Sequence, residues 1–220
     1  MNLRKLRHSF VGLAFLFGAS APAMAAFVEA GDAGDLTGSA AAVPAGTTRI
    51  EGALNAVPFG PAPFDLVDLF EIQINGPLGF FAETADGLDQ IADPVLYLFN
   101  SAGKAVVMND DAVGSQSRIE GLPGGLGGGT YYLGVSFAGV EPTDGASPLF
   151  DVFGDGSVLS GNPLAGWQGG PLTPNFDILG RYYINLGLGR VPVPEPGSLA
   201  LLALGLIGAA GARRARASAV

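Results

Sequence analysis

The sequence predicts an all-β body, a β-sandwich or jelly roll, set between two terminal segments that are addresses rather than structure. Three observations predict it. Glycine (35 residues) and proline (16) divide the chain into short apolar runs, the pattern of strands joined by turns. Those runs alternate with period two or are apolar on both faces, and none shows a helical period. Phenylalanine (14 residues) and branched aliphatics are plentiful enough to build a core, which sets the chain apart from a disordered one.

The elements follow in chain order. Residues 1–25 read as a cleavable signal peptide. Arg4, Lys5 and Arg7 form a positive start, Phe10 to Ala19 is a short apolar run, and Ala23-Met24-Ala25 supplies the small residues that a signal peptidase reads. Cleavage is expected before Ala26. The apolar run is too short to span a bilayer comfortably. Residues 26–191 are then the exported domain. Phe27 to Thr47, rich in Ala, Gly and Asp, reads as a loose lead-in. Thr48 to Leu54 is a first strand, and Asn55 to Pro63, with three prolines, is a loop.

Val67 to Ile74 alternates, with Phe70, Ile72 and Ile74 on one face and Glu71 and Gln73 on the other, so it is a half-buried strand. Gly79 to Thr84 is the next strand, and Asp86 to Asp93 is an acidic turn. Pro94 to Phe99 is apolar on both faces and reads as a central strand. The turn Asn100-Ser101-Ala102-Gly103 leads to a return strand, Lys104 to Met108. Ser117 to Glu120 is short, and Gly121 to Gly129 is a glycine-rich connection. Thr130 to Phe137 is a strong strand, and Arg181 to Leu186 is the last. Between them, residues 139–175 form a long Gly/Pro/Asp insertion that holds the only tryptophan, Trp167.

The C-terminal segment, residues 192–220, has three parts in order. Val193-Pro194-Glu195-Pro196-Gly197 is followed by an apolar stretch at about 198–212 and a basic tail, 213–220, with Arg213, Arg214 and Arg216. The apolar stretch is helical in lipid, where the backbone must satisfy itself, and it makes a thin span with the arginines held on the cytoplasmic side. This tail resembles the PEP-CTERM sorting signal of Gram-negative bacteria. The resemblance implies that Pro194, Glu195 and Pro196 are recognised by an exosortase, an integral-membrane protease. The protein would then be held only transiently in the inner membrane before delivery to the outer surface or the extracellular matrix. Two prolines keep this segment extended, a form that a protease binds as a strand.

A second resemblance covers about residues 66–137 plus 181–186. The order DLFEIQI, DPVLYLFNSAGKAVVMNDD, SRIEGLPGG…GTYYLGVS and YYINL is similar to the bacterial pre-peptidase C-terminal domain, a small β-sandwich of secreted proteins. It implies a binding or structural role and brings no catalytic residues. The 139–175 insertion departs from it.

Composition narrows the function classes. From Ala26 through Pro196 the chain has five basic residues (Arg49, Lys104, Arg118, Arg181, Arg190) against twenty acidic ones, a formal charge of −15. Such a body repels nucleic acid and suits cations or a hydrated matrix. There is no cysteine, and the one histidine, His8, lies in the signal peptide. Ser-His-Asp and Cys-His catalysis and a His-ligated zinc site are therefore excluded from the processed chain. Paired carboxylates able to hydrolyse glycosides remain, but twenty acids always supply some pair. The expectation is a protein that is not an enzyme.

Two sites for a ligand stand out. Asp93, Asn109, Asp110 and Asp111 are candidate calcium ligands, because hard oxygens from neighbouring loops suit that ion. The hairpin ending at Met108 carries Asn109–Asp111 towards Asp93. Asp65, Asp68, Asp86 and Asp89 are further acids in the same part of the sequence. A solvated Asn-Asp-Asp turn is the plain alternative. Trp167 is the best single residue for a ligand contact, against the alternative that it anchors its loop. The functional expectation is a surface or exopolysaccharide-associated structural protein; the second reading is a calcium-assisted carbohydrate-binding module.

Overall fold

The computed structural model describes residues 25–56, 64–85, 91–171 and 179–190. The chain is all-β, with two five-stranded sheets packed in a sandwich-like arrangement. Sheet I contains β1 (Ala25–Val28), β3 (Thr47–Asn55), β5 (Leu78–Thr84), β8 (Arg118–Glu120) and β12 (Leu179–Arg190), in the order β1-β3-β12-β5-β8. Sheet II contains β2 (Ala41–Ala42), β4 (Val67–Ile74), β6 (Pro94–Asn100), β7 (Ala105–Asn109) and β9 (Gly129–Phe137), in the order β2-β4-β9-β6-β7. A hairpin of β10 (Val140–Thr143) and β11 (Gly166–Gly169) lies outside both sheets. The described residues include one short 3-10 turn, Pro123–Gly125, and no helix long and apolar enough to cross a membrane. The predicted membrane segment and the signal peptide through Met24 lie outside the described residues.

Period-two patterning fixes which face of each strand is buried. Phe70, Ile72 and Ile74 of β4 point into the space between the sheets, while Glu71 and Gln73 are exposed. They meet Ile50 and Leu54 of β3, Phe80 of β5, and Tyr182, Ile184 and Leu186 of β12. Phe70 packs edge-on to Tyr182, with ring centroids 6.3 Å apart.

β6 explains the insertion. Leu96 and Leu98 join the core between the sheets, whereas Val95, Tyr97 and Phe99 point outward from sheet II. Left in water, that outer face would forfeit about 1.5–3 kcal/mol for each large side chain. Residues 139–171 cover it: Leu149, Phe150, Val152 and Leu164 form a second core with those three residues. The insertion is therefore structural, folded by Asx turns and short bridges. Asp144, for example, accepts N–H groups from Ala146 and Ser147 and side-chain bonds from Ser160 and Asn162. These four donors hold its carboxylate well below the usual range, the Asn162 bond contributing most.

The lead-in also differs from expectation. It forms two short edge strands that pair parallel to their neighbours, β1 with β3 and β2 with β4. Phe27 of β1 packs edge-on to Phe70, 6.1 Å away. Edges this short leave little backbone open to pairing with other chains. The far face of sheet I is polar and solvated. There Arg49 lies over Tyr183 and pairs with Glu51, and Arg118 bridges Glu83 at 2.7 Å.

Candidate functional site

Asp93 lies in the turn that enters β6, and Asp110 and Asp111 directly follow β7. Pairing of β6 with β7 sets Leu96 opposite Asn109, which carries the two ends of the hairpin together. The carboxylate oxygens of Asp93, Asp110 and Asp111 lie within 4.8 Å of one another. Ser117, fully buried, fastens this corner: its Oγ lies within hydrogen-bond reach of the carbonyl oxygens of Pro94 at 2.6 Å, of Asn109 at 2.8 Å and of Asp110, any one of which can accept its single proton. Asn109 does not join the carboxylates through its side chain, because its Oδ1 accepts the Arg118 N–H at 2.7 Å.

The electrostatics of this corner are those of uncompensated acids. Burial, then the Asp93 and Asp111 carboxylates, push Asp110 up to about 6. Burial, then Asp111, raise Asp93. The Oδ1 of Asp110 is buried and has no hydrogen-bond partner. Beside it opens a cleft of about 470 Å³, lined by Met108 to Asp111 on one side and Val152 to Gly156 on the other. Phe153 on its rim is 72 % exposed. This arrangement offers hard oxygens, hydroxyl-accepting carboxylates and an aromatic face within one depression.

Asp65 and Asp68 belong to a different cluster. Asp68 precedes Phe70 by two residues, so it shares the inward face of β4, and it is 0 % exposed. Tyr182 of the opposite sheet donates to Asp68 Oδ2 at 2.7 Å, and its hydroxyl also lies 3.3 Å from Glu29 Oε2. The carboxylates of Asp32, Asp65 and Asp68 lie within 4.8 Å of one another. Burial above all, then Asp65 and Glu29, push Asp68 far above the carboxylate range. Burial, then Asp32 and Glu29, push Asp65 up to about 7. Neither Glu29 nor Asp32 was singled out from the sequence. The signal that marks Asp68 is parity: a carboxylate in register with Phe70, Ile72 and Ile74 must be buried.

Trp167 is packed. Its ring meets Tyr97 at 5.4 Å and Phe99 at 6.3 Å, both edge-on, and its Nε1 donates to the Asp35 carbonyl at 2.7 Å. This is the loop-anchoring arrangement. Gly134 of β9 makes room for it, since a Cβ there would lie 3.5 Å from the indole and 3.3 Å from Leu69. Ala25 and Ala26, at the expected cleavage point, are the first residues of β1. Ala23 lies outside the described residues, as do Pro194, Glu195, Pro196, Arg213, Arg214 and Arg216, and Asp86 and Asp89 of the acidic turn.

A Pro-Glu-Pro segment, an apolar stretch and a basic tail follow the all-β body, in the order of a C-terminal sorting signal. Residues 192–215 match the family described as the PEP-CTERM protein-sorting motif. The motif indicates that an exosortase processes the protein, which is secreted and tied to the membrane only before that cut. No curated protein matches the chain.

Proposed function

We propose that the β body is a non-enzymatic component of the cell surface or of the extracellular polysaccharide matrix, delivered there by exosortase processing. The sorting motif at residues 192–215 carries this reading. The body's two five-stranded sheets and high acidic charge support a structural or binding domain of the pre-peptidase C-terminal type. Proline on both sides of Glu195 disfavours helical backbone, which suits a segment that a protease must read. The test is the intact mass of the protein recovered outside the cells, for wild type and for Glu195→Ala. A wild-type product running from Ala26 to near Pro196, with the variant retained at full tail length, supports the reading. A product that keeps Arg213 to Val220 in both would make the tail a simple anchor.

A second reading is calcium-assisted carbohydrate binding at the Asp110 cleft. The convergence of Asp93, Asp110 and Asp111 beside the exposed ring of Phe153 favours it. Calcium takes six to eight oxygens, with carbonyls and water completing such a set. Sugar rings stack on aromatic faces, and an acidic cleft selects neutral over anionic polymers. Retention of the exported protein on a neutral polysaccharide, greater in calcium than in EDTA and lost in Asp110→Asn and Phe153→Ala, is the expected result. Equal retention in calcium and EDTA would remove the metal from the reading.

A further inference from the structure

Residues 29–36 connect β1 to the sandwich through a small number of polar contacts that converge on one buried carboxyl. The Ala33 N–H donates to Glu29 Oε1 at 2.8 Å and to Asp68 Oδ1 at 3.2 Å. The Ala53 N–H donates to Glu29 Oε2 at 3.2 Å, and the Leu69 N–H donates to the Gly34 carbonyl at 2.9 Å. Tyr182 has one hydroxyl proton and meets two carboxyl groups, Asp68 and Glu29. Beyond the Ala33 and Ala53 N–H groups this hydroxyl is, among the described residues, the one side-chain donor to the pair, and Asp68 is 0 % exposed, so no water supplies another. The two acids are compatible at this spacing when they hold a proton between them.

We propose that the Glu29–Asp68–Tyr182 network is a proton-dependent clasp, which holds residues 29–36 against the sandwich when protonated and loosens them as pH rises.

The surroundings make the proton necessary. The groups that bear on Asp68 are Asp65 and Glu29, both acidic, and the Tyr182 hydroxyl. Asp32 and Asp35, from the clasped loop itself, act on Asp65 in the same sense. From β12, Arg181 and Tyr183 flank Tyr182 and so point to the opposite face, where they line a depression that Glu29 and Glu51 also border. From β3, Gly52 contributes no side chain, and a Cβ there would collide with the Tyr182 hydroxyl and with Glu29 Oε2. No described arginine or lysine is among the groups that bear on Asp68, so nothing cationic replaces the proton there. When it leaves, the buried Asp68 carboxylate faces other acids in low dielectric, and the loop, anchored by Ala33 but exposed at Asp32, Asp35 and Leu36, is the element that can move away.

The protein carries its own reporter. Trp167 is the only tryptophan, and its Nε1 bonds to Asp35 in the clasped loop. The experiment is Trp167 emission and acrylamide quenching of the exported protein in EDTA, from pH 5 to pH 9. Wild type is expected to show a reversible red shift and a severalfold rise in quenching as pH rises. Asp68→Asn supplies an uncharged donor in place of the proton, so it is expected to keep the acid-form spectrum throughout. A flat wild-type response, or an unchanged response in Asp68→Asn, overturns the proposal. Should the variant fail to fold, amide exchange in wild type decides. Protection of the Ala33 N–H relative to the Leu133 N–H must fall between pH 5 and pH 9, and a constant ratio overturns the clasp.

Discussion

Replacing Phe150 with alanine tests whether residues 139–171 belong to the cooperative fold. Phe150 is 1 % exposed and packs against Tyr97 and Phe99, with ring centroids at 5.7 and 6.0 Å. Truncating a buried phenylalanine costs about 3–5 kcal/mol, from lost transfer energy and the cavity left behind. The two ring pairs account for about 0.5–1.5 kcal/mol each of that total. In a domain of this size each kcal/mol shifts Tm by about 2–4 °C, so the expected fall is about 6–20 °C. The assay is thermal and urea unfolding followed by circular dichroism, with Phe153→Ala as the control. Phe153 follows three residues later but faces solvent, and its truncation is expected to change stability by no more than about 0.5 kcal/mol. A loss below about 1 kcal/mol for Phe150→Ala would refute the reasoning, because the insertion would then be a detachable loop rather than the cover of β6.

Three further outcomes follow from the same geometry. Trp167→Phe keeps much of the ring packing but leaves the Asp35 carbonyl without its donor, so it should lower the urea-derived stability by about 1 kcal/mol; no change would mean that the bond to Asp35 is not formed in solution. Gly52→Ala should lower stability by about 1–3 kcal/mol, since the new methyl displaces Tyr182 or Glu29; a stabilised variant in the same measurement would contradict that packing. Asp68, with its ionisation pushed up by burial, binds a proton in the folded state that the unfolded chain has lost above the usual carboxylate range. Its contribution is thus fully present in acid and is lost as pH rises, at about 1.4 kcal/mol per pH unit, or about 3 kcal/mol between pH 5 and pH 7. Asp68→Asn should flatten that slope in urea titrations, and equal slopes for the two proteins would refute the assignment.

Most of the strand framework was legible because burial imposes period two on short apolar runs. Val67–Ile74 and Pro94–Asn100 stand where the pattern puts them, and the apolar second face of β6 signalled a covered strand. What covers it was not legible. Residues 139–171 are rich in Gly, Pro and Asp, and their few apolar anchors, Leu149, Phe150, Val152 and Leu164, have no regular spacing because turns rather than a strand present them. The lead-in was missed for a related reason. β1 and β2 together are six residues long, too short to show alternation, and they are held by pairing with distant partners. At the candidate cation corner, the approach of Asp93 to Asp110 and Asp111 followed from the hairpin, since neighbouring strand ends must meet. The diversion of the Asn109 side chain to β8 did not, because β8 is three residues of the other sheet.

The charge balance links both acidic corners to the medium outside the cell. Arg49 and Arg118 are engaged on the far face of sheet I, with Glu51 and with Glu83 and Glu120. They are remote in the fold from the space between the sheets that holds Asp68. With a formal charge of −15 from Ala26 through Pro196, internal pairing cannot neutralise the acids, so protons or external cations must do so. In the two corners that neutralisation takes different forms. Asp68 is sealed and can be relieved only by a proton or by opening of the loop that covers it. Asp110 borders an open cleft, where an ion or a hydroxyl-rich ligand has access. Lowering pH therefore acts on the first by closing it and on the second by removing the charge that a cation would bind. Acid is expected to tighten the clasp while weakening any calcium-dependent retention, so the two sites should respond to pH in opposite senses.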